Sequence, residues 1–267
     1  CDDEVECPVG GYGGVGTPGD DSSSGGDEDT GEDDGTDTSP TDEDGEETVT
    51  PEPNETMVNA CDHPYMPIRP GSTWSYMDNE GQSLDYIVRE VTGDENYAEA
   101  IVDAVIVSPE LTVTLTHTWT CDQEGIRAPL TSITGIPSGV EATVFGEEEG
   151  VLLPVVENLT FGSQWNYNTL LKMDFTSADT GAIQVTNDRQ EEFTSERMSN
   201  VSVPAGEFEA LEISGKFTVT TDVGFVTKDF NGTEVLWFVE GVGMVKDLVE
   251  QDGTYFIELV DYFIPDR

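Results

Sequence analysis

The chain has 267 residues, of which 56 are acidic and 10 are basic, and its formal net charge is −46 at neutral pH. This length allows one large domain or two small ones. A surface this acidic repels phosphate groups, which excludes nucleic acids and anionic lipid headgroups as direct partners. The acidity fits a saline habitat and fits an ordinary acidic surface protein equally well.

Residues 1–60 have the composition of an unfolded segment. They hold 20 of the acidic residues and no Lys or Arg, and they are rich in Gly, Ser, Thr and Pro. A segment with so little apolar content cannot form a core. We therefore predict a disordered acidic tether over 1–60 and a folded domain over 61–267, which contains all four Trp residues.

The first residue, Cys1, is followed directly by an acidic stretch. A cysteine in this position before a Gly/Ser-rich tether resembles a bacterial lipoprotein, whose cysteine thiol carries a diacylglyceryl group after a signal peptide is removed. The resemblance implies a membrane partner through lipid on Cys1, where more than one acyl chain gives stable anchoring. The predicted location is the cell envelope. The tether length favours the outer surface, and the periplasmic face is the alternative.

Four cysteines lie at positions 1, 7, 61 and 121. An exported protein reaches an oxidising compartment, in which disulfides form and persist. Cys61 and Cys121 both lie at the start of predicted ordered structure, so we predict that they are bonded. Cys7 then remains in the tether, either as a free thiol or as an intermolecular link.

One motif, Gly-Ser-x-Trp-x-Tyr, occurs twice in the domain, at 71–76 and at 162–167. Side chains two residues apart on a strand point to the same face of the sheet. We therefore predict two related β-units, each opened by a strand that drives an aromatic pair into a shared core. The predicted core-facing residues are Trp74, Tyr76, Trp165 and Tyr167.

Strict alternation marks Leu111–Cys121 as a half-buried strand, with Thr on one face and Leu, Val, His, Trp and Cys on the other. The other predicted strands are Ser83–Val91, Tyr97–Val107, Trp165–Phe175, Ala182–Phe193, Phe208–Val219, Gly224–Phe230, Glu234–Val239, Met244–Val249 and Thr254–Phe263.

Two dipeptides between apolar runs, Asn231-Gly232 and Asp252-Gly253, are strong hairpin signals. They predict that the last four strands form an antiparallel meander. The region 125–154 is predicted as short strands or as a long covering loop.

Three segments, 65–76, 203–210 and 237–246, carry the patterns Pro-x-x-x-Gly-x-x-Trp-x-Tyr, Val-Pro-Ala-Gly-x-Phe and Gly-Val-Gly-x-Val-Lys. Together they resemble a family of uncharacterised bacterial envelope lipoproteins. The resemblance implies an all-β, mainly antiparallel fold with a strongly curved sheet, similar to the half-barrel of periplasmic lipoprotein and lipid carriers. It implies no catalytic residues.

The chain has two histidines, His63 and His117. His117 shares the inward row with Trp119, which predicts a buried histidine with a satisfied hydrogen bond rather than a ligand or a base. His63 with Asp62 and Cys61 offers metal ligands only if Cys61 is not in a disulfide. Known catalytic motifs such as His-Glu-x-x-His are absent from the sequence. We predict a non-enzyme without metal or cofactor.

Two functions fit these patterns. The first is a lipid-anchored, non-enzymatic surface protein whose β domain binds a protein or polysaccharide or has a structural role. The alternative is a carrier-like protein that holds an acyl chain or another apolar ligand in the concave face of the sheet. Closely packed aromatic residues would indicate the first, and an apolar cleft of several hundred Å³ the second.

Overall fold

The computed structural model describes residues 59–136, 140–177 and 181–266. Within these ranges the chain forms sixteen strands and one short 3-10 helix, Val156–Asn158. The strands are β1 (Asp62–His63), β2 (Met66–Pro67), β3 (Thr73–Asp78), β4 (Ser83–Gly93), β5 (Tyr97–Val107), β6 (Thr112–Asp122), β7 (Gly125–Arg127), β8 (Leu130–Thr134), β9 (Val140–Gly150), β10 (Leu153–Pro154), β11 (Gln164–Ser177), β12 (Gly181–Val203), β13 (Gly206–Asp222), β14 (Thr227–Val239), β15 (Gly243–Glu250) and β16 (Thr254–Phe263). The predicted all-β class is confirmed.

Fourteen of the strands form one antiparallel sheet, and β1 pairs only with β2. The order is β10-β7-β6-β5-β4-β3-β16-β15-β14-β13-β12-β11-β9, and β8 pairs with β6. Bulges interrupt the register at Val88/Glu90 and at Ser195/Arg197, and bulges of this kind bend a sheet. The sheet curls into a half-barrel, as the family resemblance implied.

The two ends of the curled sheet approach each other. Ala128, between β7 and β8, donates its backbone N–H to Glu148 Oε2 of β9 at 3.0 Å. Glu148 also accepts a hydrogen bond from the hydroxyl of Tyr167 on β11. One carboxylate therefore links the two edges of the sheet through hydrogen bonds.

The core lies on the concave face of the half-barrel. Alternation along each strand places one row of side chains inward, so apolar residues from strands distant in sequence meet there. The largest fully buried side chains are Trp74, Tyr76, Phe193, Ile68, Ile126, Leu153, Leu211, Ile213 and Leu259.

The predicted disulfide between Cys61 and Cys121 is confirmed. The two Cα atoms are 5.1 Å apart and the bond closes a loop of 60 residues. Both residues are fully buried. The bond attaches the residues that precede β1 to the end of β6, so it fixes the start of the domain to the first β-unit.

Both copies of the repeated motif open their strands with the same hydrogen bonds. Gly71 and Gly162 have φ values of +87° and +84°. In the first copy the glycine N–H donates to the Val88 carbonyl, and the Val88 N–H donates to the carbonyl of the motif's serine. Ser195 makes the same two hydrogen bonds in the second copy.

The prediction of a hairpin at Asn231-Gly232 is wrong. Both residues lie inside β14, which joins the predicted strand Glu234–Val239 to the last four residues of the predicted strand Gly224–Phe230. The turn is formed by 223–226 instead. Gly232 has a packing role instead, because a Cβ atom there would lie 2.3 Å from Cζ of Phe217 on β13. The glycine leaves room for the aromatic ring of the neighbouring strand.

The other turn signal is correct, since Asp252 and Gly253 lie between β15 and β16. Within the region 125–154, β9 is an eleven-residue strand rather than part of a loop or a short strand. The predictions for Cys1, Cys7 and almost all of the acidic tether lie outside the described residues.

Candidate functional site

His63 has a structural role at the start of the domain. Its Nδ1 accepts a hydrogen bond from the Tyr65 N–H at 3.1 Å, so Nε2 carries the proton and donates to the Pro154 carbonyl at 3.0 Å. Burial lowers the pKa of the imidazole. Because both ring nitrogens are occupied and Cys61 is in a disulfide, these side chains do not offer a metal its ligands.

His117 makes the hydrogen bond that the sequence predicted. Its Nδ1 donates to the Ala128 carbonyl at 3.0 Å, and burial lowers the pKa of the ring. The side chain is half-buried and borders an interior cavity.

This cavity lies in the concave face and has a volume of about 200 Å³. Its walls are mainly aromatic and aliphatic side chains, and two carboxyl groups, those of Glu234 and Asp247, also line it. For comparison, an apolar cavity of about 150 Å³ is large enough to bind benzene. The interior of the half-barrel therefore has room for a ligand of about one ring in size.

Three aromatic residues form one side of the cavity, and we call Tyr76, Tyr86 and Trp119 the aromatic wall. The ring centroids of Tyr76 and Tyr86 are 6.0 Å apart in an edge-to-face arrangement, and those of Tyr86 and Trp119 are 6.1 Å apart. The Tyr76 hydroxyl donates to the Met244 carbonyl at 2.7 Å. Trp119 is 4% exposed, and its buried Nε1 has no hydrogen-bond partner among the described residues.

A cluster of charged side chains continues the inner face beyond the aromatic wall. Arg189 donates from Nε to Glu191 at 2.5 Å and from Nη2 to Glu234. Its guanidinium carbon lies 4.4 Å from the ring centroid of Phe217. Both glutamates are only 6% exposed, so Arg189 is the group that compensates two buried carboxylates.

Asp247 adds a third carboxyl group to this cluster. Its Oδ1 is buried and has no hydrogen-bond partner within the part of the chain that the structure describes. Burial raises the pKa of Asp247 to about 7, with Glu191 adding to the rise and Arg189 opposing it. Burial also raises the pKa of Glu234 well above its ordinary value, and the charges of Glu191 and Asp247 raise it further. The cavity thus has an apolar side and an acidic side.

Sequence reasoning did not identify this cluster. Glu234 occupies an inward position in the row that continues with Leu236 and Phe238. That break in an apolar row was a readable signal in the sequence. A single carboxylate such as Glu234 does not stand out in the sequence, because Asp and Glu are abundant along the whole chain.

No group of three or more metal-ligating side chains is found within 59–136, 140–177 and 181–266. In the same ranges no helix has the length and apolar character needed to cross a bilayer.

Comparisons with known proteins support the fold. A candidate lipoprotein from Parabacteroides distasonis matches 74% of this chain over 98% of its own length, with 15% identity and a TM-score of 0.50. A candidate exported protein with a YmcC-like fold from Bacteroides fragilis has 13% identity over the same shares and a TM-score of 0.48. No protein-family model and no curated protein matches the sequence. At this level of identity the first likeness shows the curled antiparallel fold alone.

Proposed function

We propose that this chain is a lipid-anchored, non-enzymatic protein of the cell envelope that binds a small ligand inside its half-barrel. The observation that carries the proposal is the interior cavity of about 200 Å³, whose wall combines aromatic side chains with buried polar atoms. Ligand sites are typically concave and mostly apolar, with a few polar groups that orient the ligand.

The envelope location is supported by the buried disulfide, because such bonds persist in oxidising compartments outside the cytoplasm. The acidic composition of residues 1–60 supports a spacer between a membrane anchor and the domain. The fold likeness to a candidate lipoprotein points the same way.

The cavity size favours a small ligand over an acyl chain. Pockets that enclose drug-sized ligands have volumes of about 300–1,000 Å³, which exceeds the space inside this half-barrel. The fully buried Trp74, Tyr76 and Phe193 occupy much of the concave face. A long acyl chain would require these side chains to move.

A cavity-filling variant tests the binding site. Ala128 lines the cavity, so Ala128→Leu should fill part of it, whereas Ala182→Leu adds the same atoms at an exposed position of β12. We expect native mass spectrometry of the full chain to detect a bound small molecule that Ala128→Leu loses and Ala182→Leu retains. A ligand-free chain, together with no thermal shift across a panel of small amphipathic compounds, would contradict the proposal.

The anchor is tested separately by detergent partitioning. When the chain is exported behind a lipoprotein signal sequence, we expect it to enter the detergent phase of Triton X-114. Cys1→Ser should move it to the aqueous phase, and Cys7→Ser should not. Aqueous partitioning of the unaltered chain would contradict lipid anchoring without affecting the proposal for the cavity.

A further inference from the structure

The geometry points to a small organic ammonium cation as the ligand of the cavity, held between the aromatic wall and Asp247. This inference rests on the proposed function above, that the cavity binds a ligand. Three features of the cavity carry it, and they are independent of one another: the aromatic rings in its lining, the distribution of charge, and the Trp119 N–H, which has no acceptor among the described residues.

The aromatic wall supplies the first feature. The face of an aromatic ring is electronegative, so it attracts an ammonium group, and this attraction is strongest at Trp and in desolvated sites. Tyr76, Tyr86 and Trp119 line the same cavity, and each is in ring contact with its neighbour at about 6 Å. Several rings around one small space are the arrangement by which proteins recognise alkylated ammonium groups.

The distribution of charge supplies the second feature. The hydrogen bonds of Arg189 go to Glu191 and Glu234, and among the described residues its guanidinium is the one cationic group in the cluster. Asp247 lines the cavity with a buried oxygen that has no hydrogen-bond partner among the described residues. When a buried carboxyl group is ionised, its charge needs compensation. A cation in the cavity would supply it.

Trp119 supplies the third feature. Its buried Nε1–H has no acceptor within the described ranges, and an unpaired buried donor is unfavourable. A ligand with a hydroxyl or carboxylate oxygen beside its ammonium group would accept the Trp119 N–H through that oxygen and compensate the charge of Asp247 through its ammonium group. Choline has this combination, and its size suits a cavity of about 200 Å³.

Binding of a cation should also depend on pH, because only the ionised form of Asp247 attracts it. The pKa of Asp247 is raised to about 7, so the ionised fraction grows from pH 6 to pH 8, and the affinity for choline should grow with it. The titratable groups that interact electrostatically with Asp247 are Tyr76, Tyr86, Arg189, Glu191, Glu234 and Tyr255.

The test compares choline with its uncharged isostere, 3,3-dimethyl-1-butanol, by titration calorimetry on the full chain. We expect choline to bind at least about tenfold more tightly at pH 8, since a desolvated cation–π contact contributes that much or more. Asp247→Asn should lower the affinity for choline more than that for the alcohol, because it removes the carboxylate and leaves only the rings to attract the cation. Asp188→Asn removes a charge from the exposed side of β12 and should change neither affinity.

Trp119→Phe separates the hydroxyl contact from the charge. It weakens the cation–π contact for both cations and removes the N–H donor for choline alone, so it should weaken binding of choline more than binding of tetramethylammonium, which has no hydroxyl. If the alcohol binds as tightly as choline, the cation inference is overturned while the proposed binding function stands. If neither compound binds and Ala128→Leu only stabilises the fold, the inference and the proposed function both fail.

Discussion

The two copies of the repeated motif share a backbone and differ in what surrounds them. Trp74 is fully buried and donates its indole N–H to the Val242 carbonyl at 2.5 Å. Trp165 is half-buried, and its indole N–H has no partner among the described residues. The hydrogen bonds of the preceding glycine and serine are nevertheless the same in both copies.

Sheet position explains the difference. Trp74 has a paired neighbour on each side, Tyr86 on β4 and Tyr262 on β16. Trp165 pairs with Phe193 on β12, but the ladder to β9 begins only at Tyr167. The second tryptophan therefore lies where its strand has one neighbour instead of two. The motif determines the local backbone, and the adjacent strands determine how deeply its aromatic residue is buried.

Removing the two tryptophans should give the largest difference between the copies. We expect Trp74→Ala to lower the free energy of unfolding by about 3–5 kcal/mol, because it empties a fully buried site. Trp165→Ala should lower it by about 1–2 kcal/mol, since much less of that side chain is enclosed. Urea unfolding followed by circular dichroism measures both values. Equal losses of unfolding free energy in the two variants would contradict the difference in burial between the two tryptophans.

Phenylalanine variants provide the control for hydrogen bonding. Trp74→Phe leaves the Val242 carbonyl without its donor and should cost about 1–3 kcal/mol beyond the change in volume. Trp165→Phe removes an N–H that has no partner among the described residues, so its penalty should be smaller.

Removing the disulfide should give the next largest difference between the two β-units. In the described ranges the bond joins only residues of the first unit. Replacing Cys61 and Cys121 together by Ala should lower the free energy of unfolding by about 2–5 kcal/mol. Dithiothreitol should have the same effect on the unaltered chain and none on the double variant. In hydrogen exchange, amides of β1, β2 and β6 should lose protection before those of β11–β13. A uniform loss across both units would contradict a local role of the bond.

The sequence allowed the β-class, most of the strands, the disulfide and the repeated motif to be predicted, because each depends on local patterns. Alternation of polar and apolar residues predicts a strand such as β6 whatever strands lie beside it in the sheet. The role of Gly232 was not predictable in this way, because it depends on Phe217 across the sheet. The cavity was not predictable either, since Glu234 and Asp247, on the paired strands β14 and β15, face the aromatic wall only when the whole sheet curls.

The charged cluster lies on strands that follow the second copy of the motif, namely β12, β14 and β15. Tyr76 in the first motif lies opposite Leu84, whereas Tyr167 in the second lies opposite Glu191. The first unit thus places a leucine where the second places a carboxylate. This difference between the two copies gives one half of the interior an acidic side and leaves the other half apolar.

The effect of Asp247→Asn on stability should depend on pH, because of the acidic side of the interior. The folded pKa of Asp247 is about 7 and its ordinary value is 3.8, so the native state of the unaltered chain binds the proton more tightly. Its contribution to stability is therefore present at low pH and is lost as the pH rises through about 7. We expect Asp247→Asn to be more stable than the unaltered chain by about 1–3 kcal/mol at pH 8, with the difference shrinking towards pH 5. Thermal unfolding across this range measures it, and a difference that does not vary with pH would contradict the assignment.

The smallest expected effect tests the similarity of the two copies rather than their difference. Gly71→Ala and Gly162→Ala both place a side chain at a φ near +85°. No atom lies within 4 Å of the added Cβ at Gly162, and the nearest atom at Gly71 is Cγ of Pro265 at 3.8 Å. The penalty therefore comes from the left-handed backbone alone, at about 1–2 kcal/mol for each variant. Asn tolerates this conformation, so Gly→Asn should cost less at both positions. Unequal penalties in urea unfolding would mean that the shared hydrogen bonds do not impose the same backbone on the two β-units.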